Sequence, residues 1–354
     1  MPFLFTPEIR AEQNAFFAAM NTPKGFISAF TPLFSPYKQY VIKGGPGTGK
    51  STLMKRIDAE AKKRGLGAER YYCSSDTRSL DAIVIPALSL AVIDGTAPHT
   101  VEPTLVGVKD HYLDLSRFLD SRALEGCAAV SALATKKAAA YREAYDSLAA
   151  LDAVDRLLVP QRENAFDREK CQKTLSRLLD RLSLTPEPSP VVRLTPISAL
   201  GSEGYVALTG YADKAALTVY ISDRYGIAPA VFEELTALLS KRRVSYHHSL
   251  SPITVKTDTV YLPKREILIT SLPQSSEPAL RINCERFLYQ RGQGIYKGQK
   301  PYLAAEEALF DGAKKALVKA ANAHREAERY YIAAMDFDAL NNYTETLIDR
   351  LFSW

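Results

Sequence analysis

Cysteine is scarce and scattered. Cys73, Cys127, Cys171 and Cys284 form no Cys-x-x-Cys pair and show no metal-ligand spacing. A disulfide scaffold and a zinc module are therefore not expected, and free thiols in a reducing compartment are. Long apolar runs are missing too. The longest, residues 82–93, is broken by Pro86 and Ser89 and is too short to cross a bilayer. The first six residues carry no basic region ahead of an apolar stretch, so no signal peptide is expected. Charge of one sign is not blocked. The net charge is +5, and the basic runs Lys62-Lys63-Arg64 and Lys241-Arg242-Arg243 are short, as at solvated helix ends. These absences exclude a membrane protein and give no strong nucleic-acid signal. A cytoplasmic, soluble chain is expected.

What is present is a chain of 354 residues, 46% hydrophobic and 24% charged, enough for one large domain or two ordinary ones. One stretch stands out, Gly44-Gly45-Pro46-Gly47-Thr48-Gly49-Lys50-Ser51-Thr52. It satisfies G-x-x-x-x-G-K-[ST], the phosphate-binding loop of nucleoside triphosphatases. Glycines let the backbone wrap phosphate oxygens, and successive N–H groups form an anion nest at a helix N-terminus. Lys50 is placed to reach the β- and γ-phosphates, and the Ser51 hydroxyl to hold Mg²⁺. The flanks agree. Gln39-Tyr40-Val41-Ile42 reads as a buried strand, and residues 51–63 read as a helix with Leu53, Met54, Ile57 and Ala61 on its apolar face.

The order around the loop suggests an α/β domain. Residues 1–20 read as an amphipathic opening helix. Residues 69–73 read as a second strand, with the polar Ser74-Ser75-Asp76-Thr77 at its carboxyl end, where sites of open α/β sheets lie. The run Leu88-Ser89-Leu90-Ala91-Val92-Ile93 ends in Asp94, the place of the second triphosphatase carboxylate that holds Mg²⁺. From about 109 to 182 the pattern is helical and suits a helical hairpin, with residues 123–158 rich in alanine. Three prolines in residues 186–190 then mark an extended linker. This divides the chain into a domain at 1–186 and another at 187–354.

The second half repeats the first in degraded form. Ile85-Pro86 has a counterpart in Leu262-Pro263, Pro98, Glu102 and Pro103 in Pro273, Glu277 and Pro278, and Ala149-Asp152 in Ala333-Asp336. The counterpart of the loop falls near residues 206–217, where Lys214 matches Lys50 but no glycine run surrounds it. Asp94 is matched by Ile269. The expected fold is thus a three-layer P-loop fold with a parallel sheet, duplicated as a degenerate second half. Long helices follow each half.

Asn21-Thr22-Pro23-Lys24-Gly25-Phe26, residues 44–52, Cys73-Ser74-Ser75-Asp76, Ser79-Leu80-Asp81 and Asp94-Gly95-Thr96-Ala97-Pro98-His99 resemble a poorly characterised family of tandem P-loop ATPases from Firmicutes bacteria. The resemblance runs end to end and is specific in residues 21–103. It implies ATP binding. Its members often carry two intact loops, and this chain departs by lacking the second.

The chemistry that follows is limited. Lys50 and a Mg²⁺ held by Ser51 and Asp94 neutralise phosphate charge. Gly95 stands where many motor ATPases place a glutamate base, so water activation falls to His99, Asp76 or Asp81. No arginine is identifiable as a finger, and Arg78 is a candidate on position alone. A slow Mg-dependent ATPase or nucleotide switch that acts with a protein partner fits this thin set. A small-molecule kinase with Asp76 as base is the alternative, and a protein in which ATP only holds the fold is a third. No Asn-Lys-x-Asp motif is present, so ATP is preferred over GTP.

Overall fold

The computed structural model describes residues 5–289 and 297–353. Its first half contains β1 (Glu8–Arg10), β2 (Ala15–Phe17), β3 (Ala19–Thr22), β4 (Gly25–Ser28), α1 (Phe30–Phe34), β5 (Lys38–Lys43), α2 (Lys50–Lys63), β6 (Glu69–Tyr72), β7 (Leu80–Ile85), β8 (Leu90–Asp94) and β9 (His111–Asp114). The helices α3 (Ala128–Ala165) and α4 (Arg168–Arg181) follow. The second half contains β10 (Val192–Leu194), β11 (Ser198–Gly201), β12 (Gly204–Leu208), β13 (Leu217–Ser222), α5 (Ala228–Lys241), β14 (Tyr246–Leu250), β15 (Thr257–Leu262), β16 (Ile267–Thr270) and β17 (Leu280–Asn283). It closes with α6 (Leu303–Ala333) and α7 (Phe337–Leu351). No helix among the described residues is long and apolar enough to cross a membrane.

The fold is α/β with two six-stranded sheets. Their strand orders are β2-β6-β7-β8-β5-β9 and β10-β14-β15-β16-β13-β17. In the first, β5 runs parallel to β8 and β9, and β2 to β6, while β6–β7 and β7–β8 are antiparallel. In the second, β13 runs parallel to β16 and β17, and β10 to β14, while β14–β15 and β15–β16 are antiparallel.

The expected parallel sheet is therefore corrected to a mixed one. The connection from β7 to β8 is residues 86–89, a single 3₁₀ turn that closes at Ser89 with φ 49°. So short a link permits only a hairpin, since a parallel return needs a crossover of about a dozen residues. Proline and serine in the middle of the apolar run are that hairpin's turn. The opening helix is corrected as well. Residues 15–20 are buried on every side, which suits inner strands and not an amphipathic helix.

The helices depart furthest from expectation. Residues 109–182 do not form a hairpin. Instead α3 packs antiparallel against α6: Glu143 meets Lys319, Lys137 meets His324, and Gly312 faces Ser147. At 1.5 Å per residue α3 is about 57 Å long, and it carries the chain from the first sheet to the second. There Cys171, Leu175 and Leu179 of α4 join the core of Val219, Ile221, Val231, Phe232 and Leu235. In return Leu340, Leu347 and Leu351 of α7 join the first-half core of Leu53, Met54 and Ile57 from α2. The proline stretch between α4 and β10 is pinned, not loose. Glu187 accepts hydrogen bonds from Ser245 N and Oγ and pairs with Lys264. Near the start of the chain, β1 pairs with β12 of the second half.

Candidate functional site

Sheet pairing builds the centre of the site. β5 and β8 lie side by side with Ile42 opposite Asp94, so the turn after one strand and the carboxylate ending the other share one edge. Gly47 and Gly49 take φ 70° and 86°, the left-handed region that glycine occupies without strain. The turn delivers Lys50 as the first residue of α2. Its Nζ donates to Gly44 O at 3.0 Å and Gly45 O at 2.7 Å, and lies 3.7 Å from Asp94 Oδ2. Thr48 Oγ1 donates to Gly45 O at 2.9 Å. Ser51 Oγ accepts from Leu80 N at 2.9 Å and keeps a lone pair free. Asp94 Oδ1 accepts from Thr96 N at 2.9 Å and Thr96 Oγ1 at 2.6 Å. Pro46 is half-buried in the loop, and Thr52 is exposed on the first turn of α2.

The candidates for water activation separate. Asp76 is bound by Arg78, whose Nε and Nη2 donate to its two oxygens at 2.9 and 2.8 Å. Burial works to raise the Asp76 pKa, but the Arg78 hydrogen bonds and charge hold it below the usual carboxylate range. So paired, it is a poor base, and the guanidinium of Arg78 is committed to it. His99 is buried, stacked on Phe30, with Nε2 at 3.3 Å from Asp81 Oδ2. Burial pushes Asp81 up to about 6 against the pull of His99.

Four residues that the sequence did not single out also face this edge. α3 brings Lys137, and α6 brings His324, Arg325 and Glu328. Lys137 Nζ lies 3.5 Å from His324 Nδ1, and His324 Nε2 lies 3.6 Å from Glu328. Burial, then Lys137 and Lys50, push His324 down to about 4, and burial and Lys50 lower Lys137. Burial and Asp76 raise Glu328, while Arg325 acts on both carboxylates. On an alanine-rich helix nothing in spacing distinguishes these from solvated charges. The same helix covers the loop. A Cβ at Gly45 would lie 2.4 Å from the Tyr331 ring, and one at Gly47 would lie 3.0 Å from Glu328 O, so glycine is required by close approach.

No family model matches the chain, and no curated protein or solved structure matches it.

The second sheet has its own strand–turn–helix unit, formed by β13, residues 223–227 and α5. Lys214 is thus corrected as a match for Lys50. It precedes β13 and pairs with Glu69 at 2.8 Å. The sheet register also shifts Ile269. Tyr40 pairs with His111 and Val92, and Val219 with Leu280 and Ile269, so Ile269 takes the place of Val92. Ser271, two residues on, takes the place of Asp94. Asp336 is likewise no partner of Asp152: it caps α7, as Asp167 caps α4. In the turn after β13, Asp223 fills the nest with its own carboxylate, accepting from Tyr225 N at 3.0 Å and Ala228 N at 2.8 Å. Those two N–H groups are thus occupied by an internal carboxylate.

Beside that turn is a cavity of about 270 Å³ lined by Tyr205, Tyr220, Asp223, Ser251, Asp258 and Ser271. Asp258 is buried, and burial pushes it up to about 7 against the pull of the Thr259 and Ser249 side chains. Its folded pKa lies above the unfolded value, so the folded chain binds the extra proton. Stability is then highest below about pH 4 for this group and declines as pH rises towards 7. Asp258→Asn is expected to remove that decline, on the order of a few kcal/mol. Urea midpoints of parent and variant at pH 5 and 8 measure it, and parallel pH profiles would contradict it.

Proposed function

We propose that the chain binds one Mg-ATP at residues 45–52 and acts as a slow ATPase or nucleotide switch. The observation that carries this reading is the meeting of Lys50, Ser51 and Asp94 at the joint edge of β5 and β8. In it Lys50 leaves the carbonyls of Gly44 and Gly45 for phosphate oxygens. The backbone N–H groups of Gly45 and of residues 47–50 hold the phosphates. Ser51 Oγ and Asp94 supply hard oxygen donors, which suit Mg²⁺. Bound there, Mg²⁺ neutralises charge on the β- and γ-phosphates. Lys137 and Arg325 add positive charge from the helices above. The Arg78–Asp76 pair disfavours the kinase alternative, since it leaves Asp76 a weak base for an acceptor hydroxyl.

We also propose that the two halves arose by duplication and that the second lost its nucleotide site. Identical strand orders and pairing directions support this, as does a register shift at the same place in β6–β7 and β14–β15. The resemblance to tandem P-loop ATPases accords with it.

Titration calorimetry tests both statements. Mg-ATP should bind the parent with a stoichiometry near one. Asp94→Asn keeps the side-chain shape and removes the charge that attracts the ion. It should bind ATP without Mg²⁺ about as the parent does and lose the Mg²⁺-dependent gain. Two sites would overturn the degenerate-half reading, and an unchanged Mg²⁺ dependence would leave Asp94 a turn residue only.

A further inference from the structure

We propose that Cys73, Asp81 and His99 bind one divalent ion of the Zn²⁺ class, separately from the nucleotide. Three adjacent strands supply the donors. Cys73 follows β6, Asp81 lies within β7, and His99 stands on the loop after β8. Their ligating atoms all fall within 4.8 Å of one another. The contact between His99 and Asp81 is not an ordinary hydrogen bond. Nε2 and Oδ2 are 3.3 Å apart without hydrogen-bond alignment, the Cys73 side chain also reaches the Asp81 carboxylate, and His99 Nδ1 is buried with no hydrogen-bond partner. Two donors each about 2.0–2.1 Å from a tetrahedral ion stand about 3.3 Å apart. The spacing is that of two ligands awaiting a common ion.

Charge and softness select the ion. One thiolate and one carboxylate cancel a divalent charge, so the loaded cluster is neutral in a buried place where a net charge would be costly. Thiolate with imidazole favours Zn²⁺ over the hard Mg²⁺. The backbone N–H groups of Ser75 and Asp76 favour the Cys73 thiolate that an ion would stabilise. The His99 ring is fixed between Phe30 and Phe26, so one nitrogen is kept towards Asp81. Three protein donors leave a fourth position open. Lys50 and Asp94 both act electrostatically on Asp81, so the cluster lies near the loop. The corresponding places in the second sheet hold Ser251 and Asp258, following the pairings of Tyr72 with Leu80 and Leu250 with Thr257. Without a thiolate that half is not expected to share the site.

The test uses the full chain, stripped of metal and free of nucleotide, titrated with Co²⁺ and then with Zn²⁺ as competitor. The expected result is one equivalent of Co²⁺ with a thiolate-to-cobalt charge-transfer band, displaced by Zn²⁺. Cys73→Ser should abolish the band and Cys127→Ser should keep it. His99→Gln should weaken binding at least tenfold, and Asp94→Asn should keep the thiolate band. Absence of a thiolate band in the parent, or its persistence in Cys73→Ser, overturns the proposal. Binding lost in Asp94→Asn but kept in Cys73→Ser also overturns it, by moving the ion to the loop. If circular dichroism shows Cys73→Ser unfolded, Asp81→Asn and His99→Gln decide instead: parent-like Zn²⁺ affinity in both refutes the site.

Discussion

Lys50→Ala should weaken Mg-ATP binding by about ten- to a hundredfold. The lysine donates to Gly44 O and Gly45 O, acceptors in which the loop offers a resting place and no opposite charge. Asp94, its ion-pair partner, is 3.7 Å away. A phosphate replaces these with charge-assisted hydrogen bonds of about 1.5–3 kcal/mol, which sets the size of the loss. Calorimetry with Mg-ATP on both proteins gives the answer. An unaltered Kd would remove residues 45–52 from consideration as the nucleotide site, since no other cation follows that loop into α2 so closely.

Leu347→Ala should cost about 2–5 kcal/mol of stability, the range for deleting a fully buried leucine side chain. Leu347 is 2% exposed and sits near the end of the chain, on a helix that sequence position alone would assign to the second half. It packs instead with Leu53, Met54 and Ile57, on the inner face of the helix that begins at Lys50. The cavity should therefore loosen α2 and weaken nucleotide binding along with the fold. Leu179→Ala in α4 is the matched control. It should cost a similar amount from the second sheet's core and leave Mg-ATP affinity as it was in the fraction that stays folded. Urea unfolding followed by calorimetry separates the two. A loss below about 1 kcal/mol in Leu347→Ala would mean that α7 does not rest on α2.

The loop and its flanking elements were legible because each has a local cause. Glycines permit the turn, a lysine opens the helix, and apolar periodicity marks β5 and α2. Asp94 was legible as the polar end of an apolar strand. Strand direction was not, because the β7–β8 turn is written as Pro86 and Ser89 inside a run that also suits one buried element. Residues 15–22 misled for a related reason: full burial on both faces erases the alternation that identifies a strand. Lys137, His324, Arg325 and Glu328 escaped notice because their role depends on where two long helices cross the molecule, a fact of tertiary packing with no local pattern. Cys73, Asp81 and His99 are far apart in sequence and meet only through the β6–β7–β8 hairpins. The register of β16 decided what the repeat alone had misplaced, setting Ser271 and not Ile269 at Asp94's position.

The exchange of α4 and α7 between the two cores makes the chain hard to divide. Severed near residue 187, the leading fragment would carry α4 with Leu175 and Leu179 bare, and the face of α2 under Leu347 uncovered. The trailing fragment would have the converse deficit. Each is the other's missing wall, so the fragments should assemble when mixed and aggregate when kept apart. The second half's turn at Gly226 lies directly under Arg162 of α3, as Gly47 lies under Glu328 and Ile332 of α6. The turn after β13 is thus a seat for α3, as the turn after β5 is a seat for α6, and the duplication proposed above leaves that seat in place whether or not a nucleotide binds there.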